Sequence, residues 1–151
     1  MKVRKSNSQS GFSVIELIVT LGMSSVLTGM AIMNLKDLDD PLKNGAEQMT
    51  SFMRVVRARA ISSTRAYTVF PVSNGQLAAR YADTCSNGAT TPDTSMTLEF
   101  PTGARLTDTA WDICFNSRGL PDGNLAVELR DSDGEYKTVE VFLGGGVRVD
   151  A

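Results

Sequence analysis

Histidine is absent from this chain of 151 residues, and cysteine occurs only twice. Without histidine, the chain lacks the side chain that most often serves as a general base and as a metal ligand. No serine or cysteine lies in a recognisable nucleophile motif. These absences argue against catalysis, and we expect no enzymatic activity, no cofactor and no bound metal.

Two short motifs resemble ligand-binding loops but lack a required residue. The stretch DSDGEY, residues 131–136, begins like a calcium loop, yet Phe142 stands where a bidentate glutamate is needed. We favour a hairpin turn there. The glycines at 144–146 lack the lysine and following helix of a phosphate loop, so we expect a bulge or bend between strands.

Positive charge is concentrated at the amino end of the chain. When Lys2, Arg4 and Lys5 are set aside, 12 basic residues remain against 17 acidic ones. The rest of the chain is therefore acidic. This excess of acidic residues argues against a general nucleic-acid-binding surface, although one local basic strip could still bind nucleic acid.

Residues 12–35 form a long apolar run whose only charge is Glu16. As an α-helix this run spans about 36 Å, slightly more than a bilayer core. The basic residues before it predict a cytoplasmic amino end, with the remainder of the chain outside. We therefore predict a membrane-spanning helix. A secretory signal peptide and a buried core helix are the alternatives.

Glu16 is unusual in such a run, because a carboxylate inside a bilayer normally has a partner. The basic residues of the amino end lie more than two helical turns upstream of it. A cut between Gly11 and Phe12 would create a positively charged α-amino group and make Glu16 the fifth residue of the product. A partner for the carboxylate would then exist, on the same chain or on a neighbour.

The sequence GFSVIE, residues 11–16, resembles the processing signal of type IV pilins and pseudopilins. The shared features are a short basic leader, glycine before the cut, phenylalanine after it and glutamate at the fifth mature position. The resemblance implies that a prepilin peptidase removes the leader, residues 1–11, by cutting after Gly11, and methylates Phe12. It also implies that Glu16 pairs with the amino terminus of an adjacent subunit during filament assembly.

Small residues lie along one face of the predicted apolar helix. Gly22, Ser25 and Gly29 are spaced by three and four positions, which suits close packing of helices in a filament core. The alternative is that membrane helices simply tolerate glycine and serine. Many major pilins have a proline within this helix, whereas the first proline here is Pro41. This difference favours a minor or pseudopilin-like subunit.

Residues 36–65 are predicted to continue as an amphipathic helix. Asp40 followed by Pro41 is typical of an N-cap and first helical position, so we expect a kink or restart there. Apolar residues then recur at helical spacing and predict a face that packs on a core: Ala46, Met49, Phe52, Met53, Val56 and Ala60. Four arginines alternate with that stripe: Arg54, Arg57, Arg59 and Arg65. A phosphate-binding face is one interpretation of them, and a solvated helix face is the one we favour.

Beyond the helix the periodicity changes towards two, which predicts strands separated by turns. The strand segments are AYTVFPV, GQLAARYA, MTLEF, WDICF, NLAVELR and YKTVEVF. The last two are expected to form a hairpin. We therefore predict an α+β fold in which a long N-terminal helix packs on an antiparallel sheet, with a β-rich head domain at 66–151.

The family resemblance extends into this region. The sequence RVVRARAISSTRAYTVF is similar to the helix-to-strand junction of minor pseudopilin H (GspH) and FimT-type minor pilins, and VEVFLGGGVRV is similar to their last strands. Residues 73–120 carry no motif of that group. The resemblance implies a pilin fold for the whole chain.

The two cysteines, Cys85 and Cys114, both lie on the side predicted to be exported, where an oxidising compartment lets a disulfide persist. In the chain-entropy model a bridge between them would contribute on the order of 3 to 4 kcal/mol. Two free buried thiols are the alternative.

Two functions follow from the resemblance. The first, which we favour, is a structural minor subunit of a type IV pilus or type II secretion pseudopilus. It would reside in the inner membrane with its head in the periplasm before joining the filament, and its partners would be prepilin peptidase and other pilin subunits. The alternative is a minor pilin that binds DNA through a C-terminal GRxR sequence. Here that stretch is GGVR, so Gly146 replaces the first arginine and Arg148 remains.

Overall fold

The structure, a computed structural model, describes residues 13–35, 40–86 and 88–150, and within them the side chains of all but 27–35. The chain divides into two compact units, Met1–Asp39 and Asp40–Ala151. The predicted leader, Gly11 and Phe12 lie outside the described residues.

The first unit contains helix α1, Val14–Leu35. All side chains from residue 13 to residue 26 are exposed, including large apolar ones such as Val14, Ile15 and Leu21. Among the described residues, no helix has the length and apolar character that a membrane crossing requires. The membrane-spanning part of our prediction is therefore not confirmed.

The second unit opens with helix α2, Pro41–Ser63. Asp40 caps it, because its carboxylate accepts a hydrogen bond from the backbone N–H of Lys43 at 2.9 Å, and proline occupies the first turn. The helix ends at Thr64, whose left-handed conformation, with φ of 55°, turns the chain towards the first strand. The predicted helix start at Asp40 and Pro41 is confirmed.

Eight strands follow α2: β1 Ala66–Ser73, β2 Gln76–Ala82, β3 Thr91–Glu99, β4 Arg105–Leu106, β5 Ile113–Phe115, β6 Leu125–Arg130, β7 Tyr136–Val141 and β8 Val147–Asp150. They form two antiparallel sheets of four strands, ordered β3-β2-β1-β5 and β4-β6-β7-β8. We predicted an α+β fold with one helix on antiparallel strands. The fold class is confirmed, and the strands divide into two sheets.

The core lies between the apolar face of α2 and both sheets. All six apolar residues predicted to form that face are buried. They meet side chains from the first sheet, such as Val69 and Phe115, and from the second, such as Leu129 and Val139. One helix thereby covers two sheets, which unites them in a single core.

The predicted hairpin of the second sheet is confirmed, since β6 and β7 pair in register from Leu125 opposite Val141 to Arg130 opposite Tyr136. Its tip is the predicted turn, in which the Asp131 carboxylate accepts bonds from the backbone N–H groups of Asp133 and Glu135. Gly134 supplies the positive φ, 93°, that this turn requires.

Candidate functional site

The amino end of α1 shows what Glu16 does within its own chain. Ser13 precedes the first helical residue, Val14, and the Glu16 carboxylate accepts a hydrogen bond from the Ser13 backbone N–H at 3.2 Å. This is the glutamate half of a capping box, in which the third helical residue satisfies an N–H group that the helix leaves unpaired. Glu16 therefore helps to fix the helix start, a role that the sequence analysis did not anticipate.

Two hydroxyl groups further along α1 have acceptors within the helix itself. The hydroxyl groups of Thr20 and Ser25 donate to backbone carbonyls of their own helix, those of Leu17 and Gly22. Around Gly22 there is open space, since a Cβ there would meet no heavy atom within 4 Å. The small-residue face proposed for helix packing is thus open at Gly22 and Ser25, and the side-chain position of Gly29 lies outside the described part.

Arg148, the candidate DNA contact, is paired with two carboxylates of its own sheet. Its guanidinium lies 2.8 Å from a Glu140 oxygen and 3.4 Å from an Asp150 oxygen. It also lies 5.5 Å from the centre of the Phe142 ring. A phosphate would have to compete with two carboxylates for this arginine, which disfavours nucleic-acid binding at this end of β8.

Arg57 connects two loops that are distant in sequence. Its Nε donates to the Gly119 carbonyl at 2.9 Å and its Nη1 donates to the Gly145 carbonyl at 2.7 Å. One turn earlier on α2, Arg54 donates to the Val147 carbonyl at 3.2 Å. Arg57 is half-buried and donates to backbone carbonyls, so neither interpretation of the helix arginines describes it. Arg54 is exposed, as the favoured interpretation of a solvated face expects, and it also donates to a backbone carbonyl.

In the turn between β7 and β8, Gly145 and Gly146 differ in how much space a side chain would have. A Cβ on Gly145 would lie 2.7 Å from the Arg57 guanidinium and 2.7 Å from the Gly119 carbonyl oxygen, and its φ is 76°. Gly145 is therefore required by both space and backbone conformation. Gly146 differs, because the only atom near its hypothetical Cβ is a Phe142 ring carbon at 3.9 Å. The fold leaves room at position 146 for the first arginine of GRxR, so packing does not require the glycine that stands there.

The predicted disulfide between Cys85 and Cys114 is present, with the two Cα atoms 5.8 Å apart. Cys114 lies in β5, and its backbone N–H is held by the Asp122 carboxylate at 3.0 Å. The bridge therefore attaches the segment after β2 to an edge strand of the first sheet.

No cluster suited to metal binding occurs among the described residues, where three or more acidic or cysteine side chains nowhere converge. The contacts that sequence reasoning missed, such as those of Arg57, join positions 62 and 88 residues apart. No local pattern could have indicated them. Within the head domain, the Arg57 contacts hold two loops in place.

Comparison with solved structures supports a common architecture. The type IV minor pilin FimU of Pseudomonas aeruginosa PAO1 is similar at 14% identity with a TM-score of 0.55, over 73% of this chain and 93% of that one. The minor pseudopilin EpsH from the type 2 secretion system of Vibrio cholerae is similar at 16% identity and a TM-score of 0.53, over 74% and 98%. At such identities the likeness shows the fold alone.

No curated protein sequence matches the chain at a significant level. The model of one protein family, described as type II transport protein GspH, matches residues 45–145. This match extends from the first turns of α2 to the turn before β8, and so includes almost all of the packed core. Because it spans more than half of the sequence, the chain belongs to the GspH family of type II transport proteins.

Proposed function

We propose that this chain is a minor pilin or pseudopilin, a structural subunit of a type IV pilus or type II secretion pseudopilus. The observation that carries the proposal is the GspH family match across the head domain. The fold shared with a minor pilin and a minor pseudopilin agrees with it. The subunit assembles with other pilin-like subunits in the cell envelope and contributes no chemistry of its own.

Helix α1 is the assembly element in this proposal. Its exposed apolar side chains, including Ile18, Leu21 and Val26, would be unfavourable in water and are suited to a bilayer or to the core of a helical bundle. The basic residues at 2–5 support an orientation with the amino end in the cytoplasm and the head domain in the periplasm. The chain resides in the inner membrane by α1 until it enters the filament.

Processing precedes assembly. A prepilin peptidase cuts between Gly11 and Phe12 and methylates the new amino terminus, as the GFSVIE sequence supports. Glu16 then pairs with the amino terminus of a neighbouring subunit. The capping-box bond uses one carboxylate oxygen of Glu16, Oε2, and leaves the other available for such a contact.

The test is intact-mass spectrometry of the protein isolated from its native cells. We expect a chain that begins at methylated Phe12. A strain without prepilin peptidase should yield the chain with its leader, as should the Gly11→Leu variant in the normal strain. A Met1 start in cells with an active peptidase would refute the proposal.

The DNA-binding alternative receives no support from the head domain. Arg148 is paired with two carboxylates, and the nearest helix arginines, Arg54 and Arg57, donate to backbone carbonyls. The structural role therefore accounts for these arginines without a nucleic-acid ligand.

A further inference from the structure

A polar cavity of about 530 Å³ opens at the end of the head domain where α2 finishes. The last turns of α2, the start of β1, the end of β2 and the start of β3 form its walls. Its charged and aromatic lining consists of Arg59, Arg65, Tyr67, Tyr81 and Asp93. None of these residues takes part in the disulfide or in the loop contacts of Arg57.

The backbone fixes Arg65 against one wall of this cavity. Thr64 reverses the chain in the left-handed conformation, and β1 begins immediately after Arg65. The Arg65 guanidinium then lies 5.0 Å from the centre of the Tyr81 ring. Stacking on a ring restricts the guanidinium plane while leaving its N–H edges free to donate, which is the arrangement suited to a planar anion.

Asp93 is the one acidic group of the cavity, and its oxygens are already occupied. Oδ1 accepts from the Ser95 hydroxyl at 2.6 Å and from the Ser95 backbone N–H at 3.1 Å, and Oδ2 accepts from the Tyr67 hydroxyl at 3.3 Å. These bonds, the Ser95 hydroxyl foremost, hold the pKa of Asp93 below its usual value, and the Arg59 charge acts in the same direction. Asp93 is thus ionised and satisfied at neutral pH.

Neither Arg59 nor Arg65 forms an ion pair closer than 4.0 Å with a described carboxylate, although the Arg59 charge acts on Asp93 over a longer distance. Within residues 13–35, 40–86 and 88–150, ion pairs closer than 4.0 Å involve other arginines: Arg80, Arg130 and Arg148. The cavity therefore carries two cationic groups and one anion, in a chain whose acidic residues outnumber its basic ones by 17 to 15. It is a local positive site on an acidic molecule.

We propose that this cavity binds a carboxylate of an acidic peptide segment, seated between Arg59 and Arg65. Guanidinium groups bind carboxylates through paired, charge-assisted hydrogen bonds, and such bonds are stronger than neutral ones. A nucleic acid fits less well, because Asp93 and the net negative charge of the chain repel an extended chain of phosphates but tolerate one carboxylate. The inference is independent of the filament assignment, since it uses only contacts within the head domain.

The test is fluorescence anisotropy with the full-length chain in a non-ionic detergent and a labelled peptide of alternating glutamate and glycine. A peptide with glutamine in place of glutamate is the matched probe. We expect the glutamate peptide to bind at low salt and the glutamine peptide to bind at least about tenfold more weakly.

Substitutions then locate the binding site. Arg65→Gln and Arg59→Gln should each weaken binding of the glutamate peptide about tenfold, and Arg65→Lys should weaken it less, since it keeps the charge and loses the planar fork. The control is Arg130→Gln, which removes one positive charge elsewhere and should leave the affinity unchanged. All three residues concerned, Arg59, Arg65 and Arg130, are exposed, so the fold should persist.

Three results would overturn the proposal. One is that the glutamate and glutamine peptides bind equally, or that neither of them binds. Another is an equal loss of affinity in Arg130→Gln and Arg65→Gln, which would indicate a diffuse charge effect. The third is tighter binding of a DNA duplex of matched charge, which would make phosphate the ligand.

Discussion

At the scale of single residues, Glu16 has one observed role and one proposed role, and the two can be tested separately. Its carboxylate caps α1 through Ser13, and we propose that its charge pairs with a neighbouring amino terminus. Glutamine also serves at this position of a capping box. Glu16→Gln should therefore keep the helix start and the leader cut, yet reduce incorporation into filaments as severely as Glu16→Ala.

The measurement for Glu16 is the ratio of filament-associated to membrane-associated subunit, with leader removal followed by mass spectrometry. The matched control is Ser13→Ala, which keeps the charge of Glu16. Full assembly by Glu16→Gln would show that capping alone accounts for the glutamate.

Arg57 is the second residue whose role is open to a direct test. Arg57→Gln removes two charge-assisted bonds to the carbonyls of Gly119 and Gly145. Because Arg57 is only half-buried, we expect a loss of about 1 to 3 kcal/mol in the free energy of unfolding. Urea unfolding should show a lower midpoint at unchanged slope.

The comparison variant for Arg57 is Arg130→Gln, which removes a solvent-exposed ion pair with Glu128. It should change the midpoint little, since surface pairs contribute between zero and about 1 kcal/mol. Equal midpoints for the two variants would mean that the two loops are held without Arg57.

At the scale of elements, the β7–β8 hairpin allows a test of the DNA alternative. Wild type should not bind a DNA duplex at low salt, because Arg148 is engaged by Glu140 and Asp150. Gly146→Arg restores the GRxR pattern at a position with open space. We expect it to gain weak binding with a salt slope of about one to two units.

Gly144→Arg is the matched control for the hairpin, because it adds the same charge at another open position outside the pattern. Anisotropy titrations at several salt concentrations measure all three proteins. Binding by wild type that Arg148→Ala abolishes would restore DNA binding as a function.

The disulfide is an element-scale feature because it links the segment after β2 to β5. Reduction should lower the free energy of unfolding by about 3 kcal/mol in the chain-entropy model. Hydrogen exchange should rise first in residues 83–86 and 88–90 and in β5, while the middle of α2 stays protected by the core. Simultaneous loss of protection in α2 would show that the bridge is needed for the whole fold.

At the scale of the whole molecule, the division at Asp40 predicts an autonomous head domain. The buried core lies between Leu42 and Val147, so a fragment of residues 40–151 should fold alone. Its urea midpoint should equal that of the head in the full chain. Trp111, the single tryptophan, packs against this core and reports the transition by fluorescence.

Asp40→Ala in the same fragment gives a loss of stability of known typical size, with which other losses can be compared. Loss of the cap on α2 should cost about 1 kcal/mol. A fragment that fails to unfold cooperatively would contradict the division into two units.

Much of this fold was predictable from periodicity, and the exceptions have identifiable causes. The face of α2 and the β6–β7 hairpin follow patterns that persist over several turns or residue pairs. By contrast, β4 has only two residues, and β3 begins at Thr91, five residues before the predicted segment MTLEF and within a polar, proline-containing stretch. As an edge strand, β3 pairs on one side only and needs no continuous apolar face. The contacts of Arg57 and the cavity at Arg65 depend on strand order, which the local sequence does not encode.

The capped start of α1 has an electrostatic consequence for a processed chain. A helix carries a partial positive charge of about half a unit at its amino end, from its aligned peptide dipoles. After a cut behind Gly11, the α-amino group lies only two residues before Val14, the first residue of α1. The charge of the α-amino group and the positive end of the helix dipole then lie within one turn of each other, and the negative charge of Glu16 offsets both. Without this carboxylate, amino ends at the same depth in an apolar medium would repel one another, and that repulsion alone would oppose a side-by-side array of such helices.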